Sequence, residues 1–225
     1  MKRASQLLLP LLALAAACQQ PASASEAVVA APPAERQARE GTGLKTAIFA
    51  GGCFWGVEAV FSHITGVTSV VSGYHGGAAR DAFYERVGGG ASGHAEAVRV
   101  TYDPARIRYD QLLRAFFSVA TDPTQLDRQG PDTGTQYRSA LVPLTEEQRL
   151  VAMAYLAQLR ASGLWDKPIV TRIEKYRTFY PAEKYHQDFM MKNPAHPYIV
   201  RWDAPKVAAL RQLYPGVYKR GFTLN

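Results

Sequence analysis

The sequence predicts an α+β fold: a split βαβ (ferredoxin-like) two-layer sandwich with a C-terminal extension. Two observations carry this. Apolar runs and helical periodicities follow one another in the order β-α-β-β-α-β, with no internal repeat. Hydrophobic residues make up 47% of the 225, enough for a sizeable core and about one domain with something added. The same composition excludes collagen, wholesale disorder and a polytopic membrane protein.

Lys45–Ala50 is a short apolar run stopped by Gly51-Gly52, a buried strand. Val57, Val60, Phe61 and Ile64 then recur at helical spacing, and Gly66 stands where a C-terminal cap belongs. Val67–Ser72 is apolar and β-branched, a second strand. Gly73–Gly93 is glycine-rich without period and reads as a long loop, which in a compact domain is usually functional. Ala95–Tyr102 alternates and ends at Asp103-Pro104, giving a third strand. A helix over Tyr109–Val119, a polar loop through Gln136 and a strand over Tyr137–Val142 follow. Thr145 and Gln148 form a capping-box pattern that starts a helix running to about Ala161. Pro168–Ile173 is a further strand, and helices are expected at Ala182–Met191 and Lys206–Leu213.

Residues 1–24 have the layout of an export signal: basic Lys2 and Arg3, an apolar run from Leu7 to Ala17, then small residues. The run is shorter than the roughly 20 apolar residues that span a bilayer. Two cleavage readings fit. Leu14-Ala-Ala-Ala-Cys18 resembles a bacterial lipobox, with cleavage before Cys18 and lipidation of its thiol, although Ala15 stands where leucine is usual. Cleavage after Ala22-Ser-Ala24 would instead discard Cys18. Residues 25–43 are rich in Ala and Pro and lack a sustained apolar period, so they are expected to be a disordered linker, leaving 44–225 as the folded domain. The expected location is the bacterial cell envelope: exported, periplasmic, with a lipid anchor at Cys18 on a membrane. Lys2 and Arg3 account for two of the net +7, and the other basic residues are scattered, so no nucleic-acid partner is expected.

Cys53 follows a glycine pair at a strand end and opens a helix, where free N–H groups and the helix dipole stabilise a thiolate. That placement suits a nucleophile; a buried, inert cysteine is the other reading of a lone thiol. Trp55 is turned away from the apolar face of its helix, so Phe54 and Trp55 are either walls of a small apolar pocket or ordinary core aromatics. Glu96 is the lone acid of an otherwise apolar strand, either a solvent-facing residue or a functional one.

Gly51-Gly-Cys-Phe-Trp-Gly-Val-Glu58 resembles the signature of the peptide methionine sulfoxide reductase A family, the methionine-S-sulfoxide reductases. Ser72-Gly-Tyr-His-Gly-Gly77, Gly93-His-Ala-Glu-Ala-Val98, Asp132-Thr-Gly-Thr-Gln-Tyr-Arg-Ser139 and Pro181-Ala-Glu-Lys-Tyr-His-Gln187 follow in the family's order, so the resemblance spans about 46–220. It implies reduction of methionine-S-sulfoxide, free or in oxidised proteins, to methionine. Cys53 would attack the sulfoxide sulfur and become a sulfenic acid, and Glu96, its pKa raised by burial, would protonate the oxygen. Phe54 and Trp55 would hold the S-methyl. Tyr84 and Tyr137 match tyrosines aimed at the sulfoxide oxygen, Tyr84 within a looser match, and Asp132 matches an aspartate that arranges the site and its water. Pro131 stands where a polar residue is more usual. His186 matches a framework motif rather than a chemical role. The other histidines, His63, His75, His94 and His196, lack metal-ligand spacing, so neither a metal nor a bound cofactor is expected.

One departure matters. Many relatives carry C-terminal cysteines that resolve the sulfenic acid, and the stretch from Asn193 onward has none. With Cys18 lipidated or removed, an external thiol must resolve it: a small thiol or a thioredoxin-fold partner. The alternatives are a single-cysteine thiol peroxidase, or a non-enzymatic envelope binding lipoprotein with a structural cysteine.

Overall fold

The computed structural model describes residues 28–224. Its elements are β1 (Lys45–Gly51), α1 (Phe54–Ser62), β2 (Val67–His75), α2 (Tyr84–Gly88), β3 (Ala95–Tyr102), α3 (Tyr109–Ala115), β4 (Arg128–Gln129), β5 (Asp132–Thr133), β6 (Ser139–Val142), α4 (Glu146–Ala161), β7 (Arg172–Ile173), β8 (Phe179–Pro181), α5 (Phe189–Lys192) and α6 (Ala204–Leu213). The main sheet runs β7-β6-β1-β3-β2-β8, antiparallel throughout except for the β6–β7 pair. Its four central strands, with α1 and α3 as crossovers, give the split βαβ order that the sequence predicts.

β1 pairs on both edges, with β3 and with β6. It is also covered on both faces, hence its near-continuous apolar run. Its two faces differ. Ala47 and Phe49 join Val98, Val100 and Leu141 in the large core under the helices, where Phe49 packs on Phe61 with centroids 4.6 Å apart and on Phe116 at 5.4 Å. Ile48 and Ala50 face the other way with Ala95, Ala97, Ala140 and Val142, a thin layer under Phe179. Side chains alternate along a strand, so Glu96 shares the helix-covered face with Val98 and Val100. That alternation overturns the solvent-facing reading: Glu96 is 2% exposed.

Several expected boundaries shift, each for a local reason. β2 continues through His75, because Gly73-Tyr74-His75 also pairs with β8, a strand the sequence reading left out. A β-carbon on Gly73 would collide with the backbone of Tyr180. The expected loop over Gly73–Gly93 therefore holds the end of β2, a 3-10 turn and α2. The expected helix over Ala182–Met191 shrinks to α5. Gln187 accepts from Ser72 N–H and donates to the carbonyls of Ser72 and Ala182, each at 2.9 Å, capping the sheet edge, and Asp188 then turns left-handed at φ +54°. The strand expected over Tyr137–Val142 begins at Ser139 after a 3-10 turn, and that expected over Pro168–Ile173 is only β7. α3 runs on into a π-helical turn over Phe116–Ala120, and another over Ile199–Asp203 leads into α6.

The largest correction concerns the linker expected to be disordered over 25–43. Its described part, residues 28–43, is an extended strap bonded to the domain. Ala31 and Ala38 are buried, Ala38 N–H donates to Asp110 at 2.9 Å, and Glu40 accepts from the Tyr102 hydroxyl and from Tyr109 N–H. Side-chain acceptors and donors on α3 and α4 supply the partners that the strap's own low hydrophobicity does not. The expected export signal and Cys18 lie outside the described residues.

Candidate active site

Gly52 has φ +93°, and a β-carbon there would strike the side chain of Gln129. This glycine turns the chain out of β1 and delivers Cys53 to the N-terminal end of α1, half-buried. The next N–H, that of Phe54, donates to Glu96 Oε2 at 2.9 Å. The nucleophile candidate and the acid are thereby tied together across two adjacent strands.

Glu96 has its pKa pushed up to about 8, foremost by burial and further by the charges of Asp132 and Asp203, against the Phe54 bond. At neutral pH it is a carboxylic acid. Cys53 departs from its expected tendency. Burial pushes its thiol well above the ordinary value, Glu96, Asp203 and Asp132 add to the rise, and only the Trp55 backbone bond opposes it. Desolvation and three nearby acids outweigh the helix N-terminus, so the resting sulfur is a thiol rather than a thiolate.

Around this pair stand the other residues singled out from the sequence. Phe54 is fully buried, its ring 5.1 Å from that of His186. Trp55 is half-buried and stacks on Phe189, with centroids 3.7 Å apart and planes within 6°. Tyr84 lies against His186 at 4.3 Å. Burial, with Glu96 and Cys53 following, raises the pKa of Tyr84. Tyr137 is likewise raised, by burial first and then by Glu96, Asp132 and Cys53. Asp132 accepts from the hydroxyl of Tyr198. The structure thus brings together Cys53, Phe54, Trp55, Tyr84, Glu96, Asp132 and Tyr137. Among the described residues no group of three or more His, Cys, Asp or Glu could hold a metal.

Four residues of this constellation were not assigned a role there from the sequence. His186 is buried, and its Nδ1 accepts from the Trp55 indole N–H at 3.1 Å. Burial lowers its pKa, so the neutral ring carries its proton on Nε2. Phe189 and Tyr198 both pack on Trp55, Phe189 stacked and Tyr198 edge-on at 5.9 Å. Asp203 is fully buried against Gly56, where a β-carbon would meet its carboxylate. Asp203-Ala204-Pro205 carries a helix-start signature, which could have placed this acid at the head of α6.

The family model described as "Peptide methionine sulfoxide reductase" matches residues 45–215. The chain belongs to the peptide methionine sulfoxide reductase family. The peptide methionine sulfoxide reductase MsrA 2 of Mesorhizobium japonicum is 58% identical over 176 residues, covering 78% of this chain and 90% of the relative. Its namesake in Synechocystis is 52% identical over 172 residues, 76% of this chain and 80% of that one. The structure of methionine sulfoxide reductase A of Corynebacterium diphtheriae superposes with a TM-score of 0.59 at 35% identity, covering 68% of this chain and 77% of the other. Membership makes the protein an oxidoreductase acting on sulfur, with methionine sulfoxide as its substrate class. Neither a thiol peroxidase nor a non-enzymatic binding lipoprotein finds support in these likenesses.

Proposed function

We propose that the protein reduces the S epimer of methionine sulfoxide, free and within proteins, with Cys53 as nucleophile and Glu96 as proton donor. The observation that carries this reading is the protonated, buried Glu96 tied to the first N–H after Cys53. A carboxylic acid at that point donates to the sulfoxide oxygen as its negative charge develops, and the pKa of about 8 suits an acid working near neutral pH. Phe54 and Trp55 receive the S-methyl, Tyr84 and Tyr137 turn their hydroxyls to the oxygen, and Asp132 with Tyr198 orders the rim.

The net first step moves one oxygen and two electrons: Cys53–SH and the sulfoxide give Cys53–SOH and methionine. A small thiol or thioredoxin-fold dithiol then attacks the sulfenic acid, forming a mixed disulfide and releasing water. A second thiol cleaves that bond, restores Cys53–SH and leaves the reductant as the disulfide. Cys53 is the one cysteine among the described residues, which supports an outside donor. The sequence also supports an envelope location with a lipid on Cys18; mass spectrometry of the membrane-extracted protein should find the acylated cysteine as its first residue.

The test is epimer-resolved. The full chain, with racemic N-acetylmethionine sulfoxide and excess dithiothreitol, should consume only the S epimer, and Cys53→Ser should abolish this. Loss of the R epimer, or activity in Cys53→Ser, would falsify the reading. After one turnover without reductant, dimedone should trap Cys53 as its sulfenic acid. A Cys18–Cys53 disulfide in its place would rule out the external donor.

A further inference from the structure

Glu58 closes the signature segment, and no step above uses it. It sits on α1, five residues after the nucleophile, with 0% of its surface exposed. Its carboxyl faces the backbone N–H groups of Asp188 and Phe189, which it accepts from. The two N–H groups belong to the start of α5, where no intrahelical acceptor exists. They adjoin the left-handed turn at Asp188.

Trp55 lies three residues before Glu58, and residues at that spacing neighbour each other on a helix. One stretch of α1 therefore grips the same turn twice: Glu58 holds its backbone, and Trp55 stacks on the ring that follows. Apolar packing alone would be served by leucine at lower desolvation cost. What leucine lacks is an acceptor for the two N–H groups. Burial also pushes the pKa of Glu58 up to about 8, so near neutral pH the group is an uncharged acid whose carbonyl oxygen still accepts.

We propose that Glu58 is a positioning residue: it pins the Asp188–Phe189 turn, and through the Phe189 ring fixes the Trp55 indole that receives the substrate's methyl group. This rests on the methyl-pocket reading of Trp55 given above.

Glutamine, uncharged and of the same shape, can replace the acceptor; leucine cannot. In the full chain, Glu58→Gln should keep KM for N-acetylmethionine sulfoxide within about twofold, while Glu58→Leu should raise it about tenfold with kcat changed by less than about threefold. Phe189→Ala should raise KM similarly, and the double variant Glu58→Leu/Phe189→Ala should be no worse than Phe189→Ala alone. Glu58→Asp, one methylene short and gentler on the core, should move KM in the same direction by less.

A second readout needs no turnover. With Trp165 and Trp202 changed to Phe, Trp55 is the remaining indole, and acrylamide should quench it more in Glu58→Leu and Glu58→Asp than in Glu58→Gln. Wild-type KM and quenching in both Glu58→Leu and Glu58→Asp would overturn the proposal, as would multiplying effects of Glu58→Leu and Phe189→Ala. Should the unmutated protein leave the sulfoxide untouched, the reaction reading falls, and the quenching series still decides the role of Glu58.

Discussion

The site has two sides built on different principles. On one, β1, the head of α1 and β3 place Cys53 and Glu96 by backbone pairing: Phe49 stands opposite Val98 in the register, and the Phe54–Glu96 bond joins the two elements at 2.9 Å. On the other, the chain after β8 contributes His186, Phe189, Tyr198 and Asp203 through side-chain bonds and ring stacking, with little regular structure of its own. The difference teaches where chemistry and recognition reside. Proton and sulfur sit on the rigid sheet side, while the walls around them hang from short helices and π-helical turns.

That division puts the largest losses on changes to the sheet side. Beyond the loss of all activity in Cys53→Ser, Glu96→Gln should lower kcat/KM by about 100-fold or more, the usual worth of a positioned proton donor. The sign with pH follows from the raised pKa. The working form is the acid, so log kcat/KM should be level below pH 8 and fall as pH rises through about 8, where the carboxyl ionises. Alkylation of Cys53 by iodoacetamide should run the opposite way, still climbing past pH 8, because burial and the acids hold the thiol protonated. In Glu96→Gln that climb should begin at lower pH, since one of the charges opposing the thiolate is gone. A kcat/KM profile that rises through pH 8 would show that the thiolate, not the acid, limits the reaction.

The C-terminal side should answer with smaller effects. Tyr198→Phe removes the hydroxyl that Asp132 accepts and leaves the ring on Trp55 in place. A hydrogen bond to a charged group is worth about 1.5–3 kcal/mol. The bond is half-buried and partly replaceable by water, so a loss of about 3- to 10-fold in kcat/KM is expected, chiefly in KM. A loss as large as that of Glu96→Gln would erase the contrast between the two sides.

The same contrast explains what could be read in advance. The four central strands and their crossovers follow from local periodicity, and Cys53 and Glu96 follow because a strand end and an alternating strand fix where their side chains go. β8 and the short extent of α5 are not legible locally, because their placement is set by Gln187 reaching the Ser72 backbone, 115 residues away. Trp55 was seen to point away from its helix's apolar face, yet its partners His186, Phe189 and Tyr198 lie more than 130 residues on. No window of sequence contains such pairs.

A third region, the strap over residues 28–43, sets the lower bound of this series. Its bonds run to α3, α4 and β3, and one residue, Glu40, accepts from both the Tyr102 hydroxyl and the Tyr109 N–H. Tyr102 lies under α4, whose Gln148 donates to the same phenol oxygen at 3.3 Å, so the strap closes a network rather than adding a lone surface contact. Glu40→Ala would strip an acceptor from two donors in a half-buried setting, at about 1–3 kcal/mol for such a loss. In a domain of this size that lowers Tm by about 2–10 °C. Glu40→Gln, which keeps one acceptor oxygen, should recover part of the loss. kcat and KM measured well below the transition should stay at their original values in both variants. A change in KM would mean that the strap feels the site through the Tyr109–Phe49–Phe116 rings beneath Gly51, and the sheet side would then be less rigid than its backbone pairing implies.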